Sequence, residues 1–303
     1  AEGGAVSNVS AEVGENSSSL KPIVGKLTSE NNVYKNNYAG NKTFDTKQKL
    51  SQFNGVNAEI AQGGAVYNSG VLISTADTFV NNQAFGENAY GGAIHNTIEG
   101  GLSEGGKVTL TNTAGAENFV GNSAEGANKA YGGAISNAAA FSATNSVFKN
   151  NSAKASKEAG GGAVSNIGTY ASINENYIDN SVTSATFSDG GAVMNAADGT
   201  FTVTGSAIFE NNKAQTTARV AFDSTGKETA GARGGAVYNA GIFDAKNADS
   251  ISFKSNITEG VHARGGAFYN DKTTSDKGKA TLNNVEFIGN SVIDNATVPN
   301  QTG

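Results

Sequence analysis

The sequence predicts an all-β fold, a parallel β-helix solenoid with three short strands per coil and about 8–9 coils. Three observations predict it. A word that begins Gly-Gly-Ala recurs eight times, a second word with an aromatic residue and an Asn follows each copy, and apolar positions alternate between the two words. Because one unit of such a repeat cannot bury its apolar face alone, neighbouring copies must stack into a continuous core.

The first word consists of Gly-Gly-Ala, a bulky apolar residue, a free position and Asn. Since neighbouring side chains of a strand point to opposite faces, we expect the apolar position to face the core and the free position to face solvent. The Asn should lie near a bend and form a ladder with its copies, whereas the doublet marks a corner that needs positive φ or close backbone approach. Successive copies begin 60, 28, 41, 29, 29, 44 and 31 residues apart, at Gly3, Gly63, Gly91, Gly132, Gly161, Gly190, Gly234 and Gly265.

The second word, an aromatic residue, two free positions and Asn, supplies the large side chains of the predicted core and marks another bend. A third short apolar alternation, such as Val108 and Leu110, lies between the words. The repeats consist mainly of Gly, Asn, Ser, Thr, Val, Phe and Ala without a three-to-four apolar period, so strands are favoured over helices. The copies of the second word occupy residues 34–37, 79–82, 119–122, 148–151, 177–180, 209–212, 253–256 and 287–290.

The repeats run through all 303 residues, which predicts a single solenoid domain over 1–303. Intervals longer than the common 29-residue spacing should loop out, chiefly at 42–62, 97–107 and 213–233. A stable solenoid usually carries polar capping units, and none is evident at either end of the sequence. We therefore expect either a segment of a longer passenger or a subunit that assembles end to end with copies of itself.

Composition limits the partners. The formal net charge is -6 and the isoelectric point is about 5.1, which argues against nucleic acid and anionic membrane surfaces as partners. The sequence contains no apolar run that would span a membrane, so direct membrane insertion is not expected. It has no cysteine, which excludes a disulfide framework and a thiolate metal site.

Several short motifs resemble catalytic or metal-binding patterns but lack the context those patterns need. Residues 101–105 match Gly-x-Ser-x-Gly, yet the segment after them has the alternation of a strand rather than of a helix, which indicates a glycine-rich loop. The two histidines, His95 and His262, have no second ligand at metal spacing, and the doublets lack the Asp of calcium-binding repeats. We expect no metal and no cofactor.

One column of charged residues is the strongest enzymatic candidate. Asp189, Arg233 and Arg264 each precede a glycine doublet in consecutive repeats, so a carboxylate would stack beside two guanidinium groups. Polysaccharide-cleaving β-helix enzymes need acidic and basic groups that converge from adjacent coils. The same position holds Glu2, Gln62, Tyr90, Tyr131 and Gly160 elsewhere, which equally suits a variable column that faces solvent.

A second column carries large side chains at the free position of the first word. Aligned aromatic side chains on an exposed β-face can stack on sugars or anchor a protein partner. They also occur as ordinary surface residues that shield a sheet. The members of this column are Tyr67, His95, Met194, Tyr238 and Tyr269.

The alternation of Gly-Gly-Ala-Ile/Leu/Val with Phe-x-x-Asn resembles the repeat signature of the chlamydial polymorphic outer membrane proteins. The resemblance covers essentially the whole chain and is carried by eight copies of each word. It implies a right-handed β-helix passenger of an autotransporter that is displayed at the cell surface and adheres to host cells. The chain departs from that family in having no cysteine, so the resemblance implies a related bacterial surface protein.

These observations predict a non-enzymatic protein that acts in adhesion through multivalent contacts along a rod. Its location would be extracellular, either attached to the outer membrane at the bacterial surface or secreted. The expected partner is a receptor or glycan on a host or bacterial surface. The alternatives are a subunit that forms filaments by end-to-end stacking and a polysaccharide lyase or hydrolase of the β-helix type.

Overall fold

The computed structural model describes residues 1–9, 11–13, 21–40, 60–99, 105–271 and 278–295. Within these ranges the chain forms strands and turns and no helix, which confirms the all-β prediction. Most of the loop predicted at 42–62 and the Gly-x-Ser-x-Gly match at 101–104 lie outside the described residues. Nearly all strands belong to three parallel sheets, which we name the GGA sheet, the aromatic sheet and the alanine sheet after the residues that recur in them.

The GGA sheet contains one strand from each copy of the first word. Its eight strands pair in parallel and in register, so that Val164 lies between Ile135 and Val193. Identical positions of the word therefore form straight columns across the sheet. The strands are Val6–Asn8, Val66–Asn68, Ile94–Asn96, Ile135–Asn137, Val164–Asn166, Val193–Asn195, Val237–Asn239 and Phe268–Asn270.

The aromatic sheet contains the apolar alternation and the second word of each repeat, as two arms that merge in the middle of the sheet. The merging strands bend where Asn174 and Gly205 adopt positive φ angles of 54° and 68°. The strands are Lys26–Glu30, Val33–Lys35, Val71–Thr75, Thr78–Val80, Lys107–Thr111, Phe119–Val120, Ala140–Thr144, Val147–Lys149, Thr169–Ile178, Thr200–Glu210, Ile242–Ala245, Ala248–Lys254, Lys279–Leu282 and Val285–Ile288.

The alanine sheet connects the second word of each repeat to the next glycine doublet. Its strands are Tyr38–Gly40, Ile60–Gln62, Gln83–Tyr90, Ser123–Tyr131, Ser152–Ala155, Glu158–Gly160, Ser181–Ser184, Phe187–Asp189, Lys213–Thr216, Gly231–Arg233, Ile257–Gly260 and Ser291–Asp294. A separate antiparallel pair joins Ala11–Val13 to Lys21–Ile23. The chain thus passes through the three parallel sheets in turn, and each repeat adds its strands next to those of the preceding repeat.

The main core lies between the GGA sheet and the aromatic sheet, where the aromatic residues of the second word stack face to face. Their ring centroids are 4.7–5.0 Å apart from one repeat to the next. Phe148, near the middle of the stack, has no exposed surface. The alanine sheet buries only small side chains by contrast, because its buried cluster consists of alanines and Val182. The predicted aromatic core is present.

Two ladders of asparagine side chains accompany the core, of which the sequence predicted the one in the first word. In the first word each Asn Nδ2 donates to the Oδ1 of the next copy at 2.7–2.8 Å. In the second word the corresponding distances are 2.9–3.0 Å. The left-handed residue at the second bend is the one before the ladder, such as Asn150 with φ 56°, and not the ladder residue Asn151.

The glycine doublet forms the corner between the alanine sheet and the GGA sheet for two separate reasons. Gly161 has φ 64°, and a Cβ atom there would lie 2.1 Å from the carbonyl oxygen of Val164. Gly162 has ordinary φ, but its Cβ would lie 2.1 Å from the carbonyl oxygen of Gly191 in the next repeat. The first glycine is therefore needed for its backbone angle and the second for close packing of repeats.

Candidate functional site

Both predicted columns line one groove at the corner where the alanine sheet ends and the GGA sheet begins. We call it the corner groove. Its GGA side consists of Tyr67, His95, Ser136, Ser165, Met194, Tyr238 and Tyr269, which are in register across the sheet. Its alanine-sheet side consists of Gln62, Tyr90, Tyr131, Gly160, Asp189, Arg233 and Arg264. The eight residues that the sequence singled out as two separate surfaces therefore belong to a single feature.

The prediction that the aromatic column faces solvent is wrong for most of its members. Tyr67, His95, Met194 and Tyr238 are only 2%, 6%, 8% and 7% exposed, and Tyr269 is half-buried. The alternation correctly placed these side chains on the face of the GGA sheet opposite to the core. They are covered because the side chains at the ends of the alanine-sheet strands fold over them.

The contacts between the two sides vary along the groove with the residues available. Met194 fills the space left by Gly160, where a Cβ atom would lie 2.1 Å from the Met194 sulfur. The Arg233 guanidinium lies 4.7 Å from the ring centroid of Tyr238, and that of Arg264 lies 5.2 Å from the ring of Tyr269. These stacked cation–π pairs contribute to the closed part of the groove.

Asp189 and Arg233, two members of the predicted charged column, form a bidentate ion pair. Arg233 Nε and Nη2 donate to the two Asp189 carboxylate oxygens at 2.7 and 2.8 Å. Arg233 Nη1 lies 3.4 Å from Asp271, whose carboxylate also accepts from the Tyr238 hydroxyl at 2.7 Å. Arg264 donates to Glu228. Both oxygens of Asp189 are thus committed, and the second guanidinium has a carboxylate of its own.

Burial sets the protonation of the groove residues. It lowers the pKa of His95 to about 4, so the imidazole is neutral at physiological pH. Burial and nearby carboxylates raise the pKa of Tyr131 and of Tyr238 well above the ordinary value. Burial also raises the pKa of Asp189, and the Arg233 guanidinium opposes that shift.

A pocket of about 290 Å³ opens in the middle of the corner groove, between His95 and Met194. We call it the serine notch, because Ser136 and Ser165 form its floor where the repeats on either side carry the larger His95 and Met194. Its walls are Tyr90, Tyr131, Asn137, Ala138, Ile167 and Ala196. This pocket was not predicted from the sequence. The signal was two consecutive serines in a column of large residues.

The outer face of the aromatic sheet carries a second, shallower depression of about 390 Å³. Its lining includes Thr109, Ser142, Thr169, Thr200 and Thr202 together with Lys107. No carboxylate or imidazole lies in this lining. The depression therefore lacks the pair of acidic groups that glycoside hydrolysis usually requires.

The predicted loop at 213–233 forms a small cluster beside the end of the groove. Ala221, Ala230 and Val261 are buried in it, while the Phe222 ring packs 4.9 Å from the ring of His262. His262 Nδ1 lies 3.2 Å from a carboxylate oxygen of Glu228. Both histidines are thus placed among protein side chains in different repeats, and the described residues contain no group of three or more potential ligands around a metal site.

Comparisons with protein-family models, with curated proteins and with solved structures found no match to this chain. In the ranges that the structure describes, no helix is long and apolar enough to cross a membrane.

Proposed function

We propose that this protein is a right-handed parallel β-helix with three strands per coil that acts in adhesion at a bacterial surface. Three parallel sheets that gain strands from successive repeats support the β-helix. The count of three strands per coil treats the two arms of the aromatic sheet as one strand, and likewise those of the alanine sheet. The resemblance of the repeated words to the polymorphic outer membrane proteins supports surface display, either attached to the outer membrane or secreted.

The observation that carries the proposal is the corner groove, which continues in register through successive repeats. Much of this groove is closed by its own side chains, so the contact sites that one rigid molecule offers are the open serine notch and the exposed positions that recur once per repeat. When several weak sites bind one surface, the overall affinity exceeds that of any single site by a large factor. The partner is a receptor or a glycan on a host or bacterial cell.

The test is attachment of cells to beads coated with the purified protein. Ile167 lies at the rim of the groove and is 50% exposed, whereas Ile242 is 43% exposed on the outer face of the aromatic sheet. We expect Ile167→Glu to reduce attachment and the matched Ile242→Glu variant to retain it. Attachment no better than to beads coated with an inert protein would refute the function, and equal attachment by both variants would exclude the groove.

A second function, end-to-end assembly of copies into a filament, is favoured by the last described repeat. Phe287 occupies the column of stacked core aromatics but is 53% exposed, and its neighbours Val292 and Ile293 are 47% and 44% exposed. The asparagine ladder of the second word also differs at its two ends. Asn290 at one end has its backbone N–H free, and Asn37 at the other has its Oδ1 free, among the bonds between described residues. Another turn of the same kind would complete both.

Sedimentation velocity over a range of concentrations tests the filament. We expect the average mass to rise with concentration and Phe287→Asp to abolish the rise. The matched control is Phe222→Asp, because Phe222 is 45% exposed but lies in the 213–233 loop. A mass that stays monomeric at all concentrations would exclude end-to-end assembly and leave adhesion untouched.

A further inference from the structure

We propose that the serine notch binds one neutral hexopyranose ring of a surface glycan. This inference rests on the proposed adhesion function, because it names a ligand for the same groove. It follows from the shape of the notch, from its mixture of aromatic and polar groups, and from the absence of charge in its lining.

The shape of the notch follows from the order of residues along one column. His95 bounds it on one side and Met194 on the other, and the two repeats between them contribute only Ser136 and Ser165. The resulting volume of about 290 Å³ lies at the lower limit of ordinary ligand pockets, which start at about 300 Å³. A cavity of about 150 Å³ holds a benzene molecule, so the notch has room for one substituted six-membered ring and not for an oligosaccharide.

The walls supply flat apolar surface of the kind on which the C–H face of a sugar packs. Tyr90 and Tyr131 are half-buried and lie on the alanine-sheet side, with ring centroids 6.1 Å apart. The Tyr131 hydroxyl donates to Glu158 at 3.1 Å, which holds the ring in place without a ligand. A fixed aromatic wall loses little side-chain entropy when a ligand binds.

The floor supplies polar groups for sugar hydroxyls. Ser136 and Ser165 line the notch, and each hydroxyl can both donate and accept a hydrogen bond. His95 also lines it, is 6% exposed, and has an Nδ1 atom without a hydrogen-bond partner in the protein. Its Nε2 lies 3.1 Å from the amide nitrogen of Gln62, which is a donor, so the neutral ring carries its proton on Nδ1. A buried donor without a partner is costly. The Nδ1 atom is itself buried, so a ligand hydroxyl would satisfy it once the imidazole turns towards the notch.

The ligand is neutral because nothing in the notch compensates a charge. No Asp, Glu, Lys or Arg lines it. The charges beside it are already paired, Glu158 with Lys129 and Asp189 with Arg233. Burial of an isolated carboxylate or ammonium group in such a site is strongly unfavourable, so uronic acids and amino sugars with a free amine are disfavoured.

The experiment is saturation-transfer NMR and calorimetric titration of the whole protein with methyl hexopyranosides, N-acetylglucosamine and glucuronate. The principal variant is Ser165→Tyr, which fills the notch with a residue that the same column accepts in three other repeats, at Tyr67, Tyr238 and Tyr269. Its matched control is Ser7→Tyr, since Ser7 occupies the same column in the first repeat and is exposed. A second variant, His95→Phe, keeps the ring and removes its nitrogens.

We expect saturable binding of at least one neutral sugar and none of glucuronate. Ser165→Tyr should abolish binding, His95→Phe should weaken it by about tenfold, and Ser7→Tyr should leave it unchanged. The proposal is overturned if no neutral sugar binds, or if Ser165→Tyr binds as well as the unaltered protein. Cells that still attach to beads coated with Ser165→Tyr would refute the sugar notch while the adhesion function stands; loss of attachment by every form, including the unaltered protein, would refute the function itself.

Discussion

Asp189 and Arg233 occupy the same position of consecutive repeats and form a bidentate ion pair across adjacent strands of the alanine sheet. The two nitrogen–oxygen distances are 2.7 and 2.8 Å, and the side chains are only 12% and 15% exposed. The pair closes the corner groove beyond Met194 and holds the guanidinium between the rings of Phe187 and Tyr238. The two groups that the sequence made the best catalytic candidate are thus engaged with each other.

Loss of Arg233 alone should destabilise the protein strongly. Loss of both Arg233 and Asp189 should cost less than the sum of the two single changes. Arg233→Met keeps much of the aliphatic stem but leaves the Asp189 carboxylate buried without a partner, which should cost about 3–5 kcal/mol. The double variant with Asp189→Asn removes that unpaired charge, so its free energy of unfolding should exceed the additive expectation by at least ~1 kcal/mol. Urea denaturation of the unaltered protein, the two single variants and the double variant measures this coupling energy. Strictly additive changes would show that the ion pair contributes no coupling energy.

Truncation of an aromatic residue in the stacked column should destabilise the protein much more in the middle of the column than at its end. Phe148 is fully buried between Phe119 and Tyr177, at centroid distances of 4.7 and 5.0 Å. Phe148→Ala should therefore cost about 3–5 kcal/mol in the free energy of unfolding. Phe287→Ala is the matched control, because Phe287 is in the same column but 53% exposed, and it should cost under about 1 kcal/mol. Similar denaturation midpoints for the two variants would contradict the packing described for this column.

The sequence predicted the fold better than the site, for a physical reason that the GGA sheet makes clear. Alternation states which face of a strand a side chain occupies, and it placed Val164 in the core and Ser165 on the opposite face correctly. It does not state what covers that opposite face. The covering side chains, such as Tyr131, come from another sheet whose path depends on the corner at the glycine doublet.

The same limit explains the other differences. The register of Asp189 with Arg233 could be inferred from their common distance to the doublet, but their mutual hydrogen bonds depend on how both side chains fold into the groove. The serine notch exists only because the groove is covered on either side of it. Glu175, a carboxyl group fully buried in the aromatic core, carried no repeat signal because the next repeat has Ala207 at that register position.

Removal of one asparagine side chain from the ladder of the second word should greatly lower the free energy of unfolding, although the side chain is small. Asn151 Nδ2 donates to Asn180 Oδ1 and to the Phe119 carbonyl, both at 3.0 Å, and its own Oδ1 accepts from the backbone and side chain of Asn122. Asn151→Ala removes four hydrogen bonds and leaves the buried Asn122 backbone N–H without its acceptor, at about 1–3 kcal/mol for that group alone. We expect a loss of at least ~3 kcal/mol, or failure to fold.

The control for the ladder is Asn290→Ala at its last described rung, where the bonds to Asn256 and to the Phe253 carbonyl are lost but the site is half-buried. Its cost in urea denaturation should be about 1 kcal/mol. If Asn151→Ala were as mild as Asn290→Ala, water would have to replace the ladder bonds, and the described geometry of the ladder would not hold in solution.

Glu175 should make the stability of the protein depend on pH in an unusual direction. Its carboxyl group is completely buried and accepts hydrogen bonds from the Tyr177 hydroxyl at 2.6 Å and the Tyr170 hydroxyl at 3.3 Å. Burial raises its pKa from 4.5 to about 8. The folded protein then holds a proton that the unfolded chain has released, so protonation favours folding throughout this interval.

The contribution of Glu175 is fully present below pH 4.5 and is lost as the pH rises towards 8, by up to about 1.4 kcal/mol per pH unit. Glu175→Gln replaces the neutral acid by a group of the same shape that does not ionise, so it should flatten this decline and stabilise the protein at pH 8. Urea midpoints measured from pH 5 to 8 for both proteins test the prediction, because other titrating groups affect the two alike. An identical pH dependence would mean that Glu175 is ionised in the folded state across this range, with its charge held by the two tyrosines.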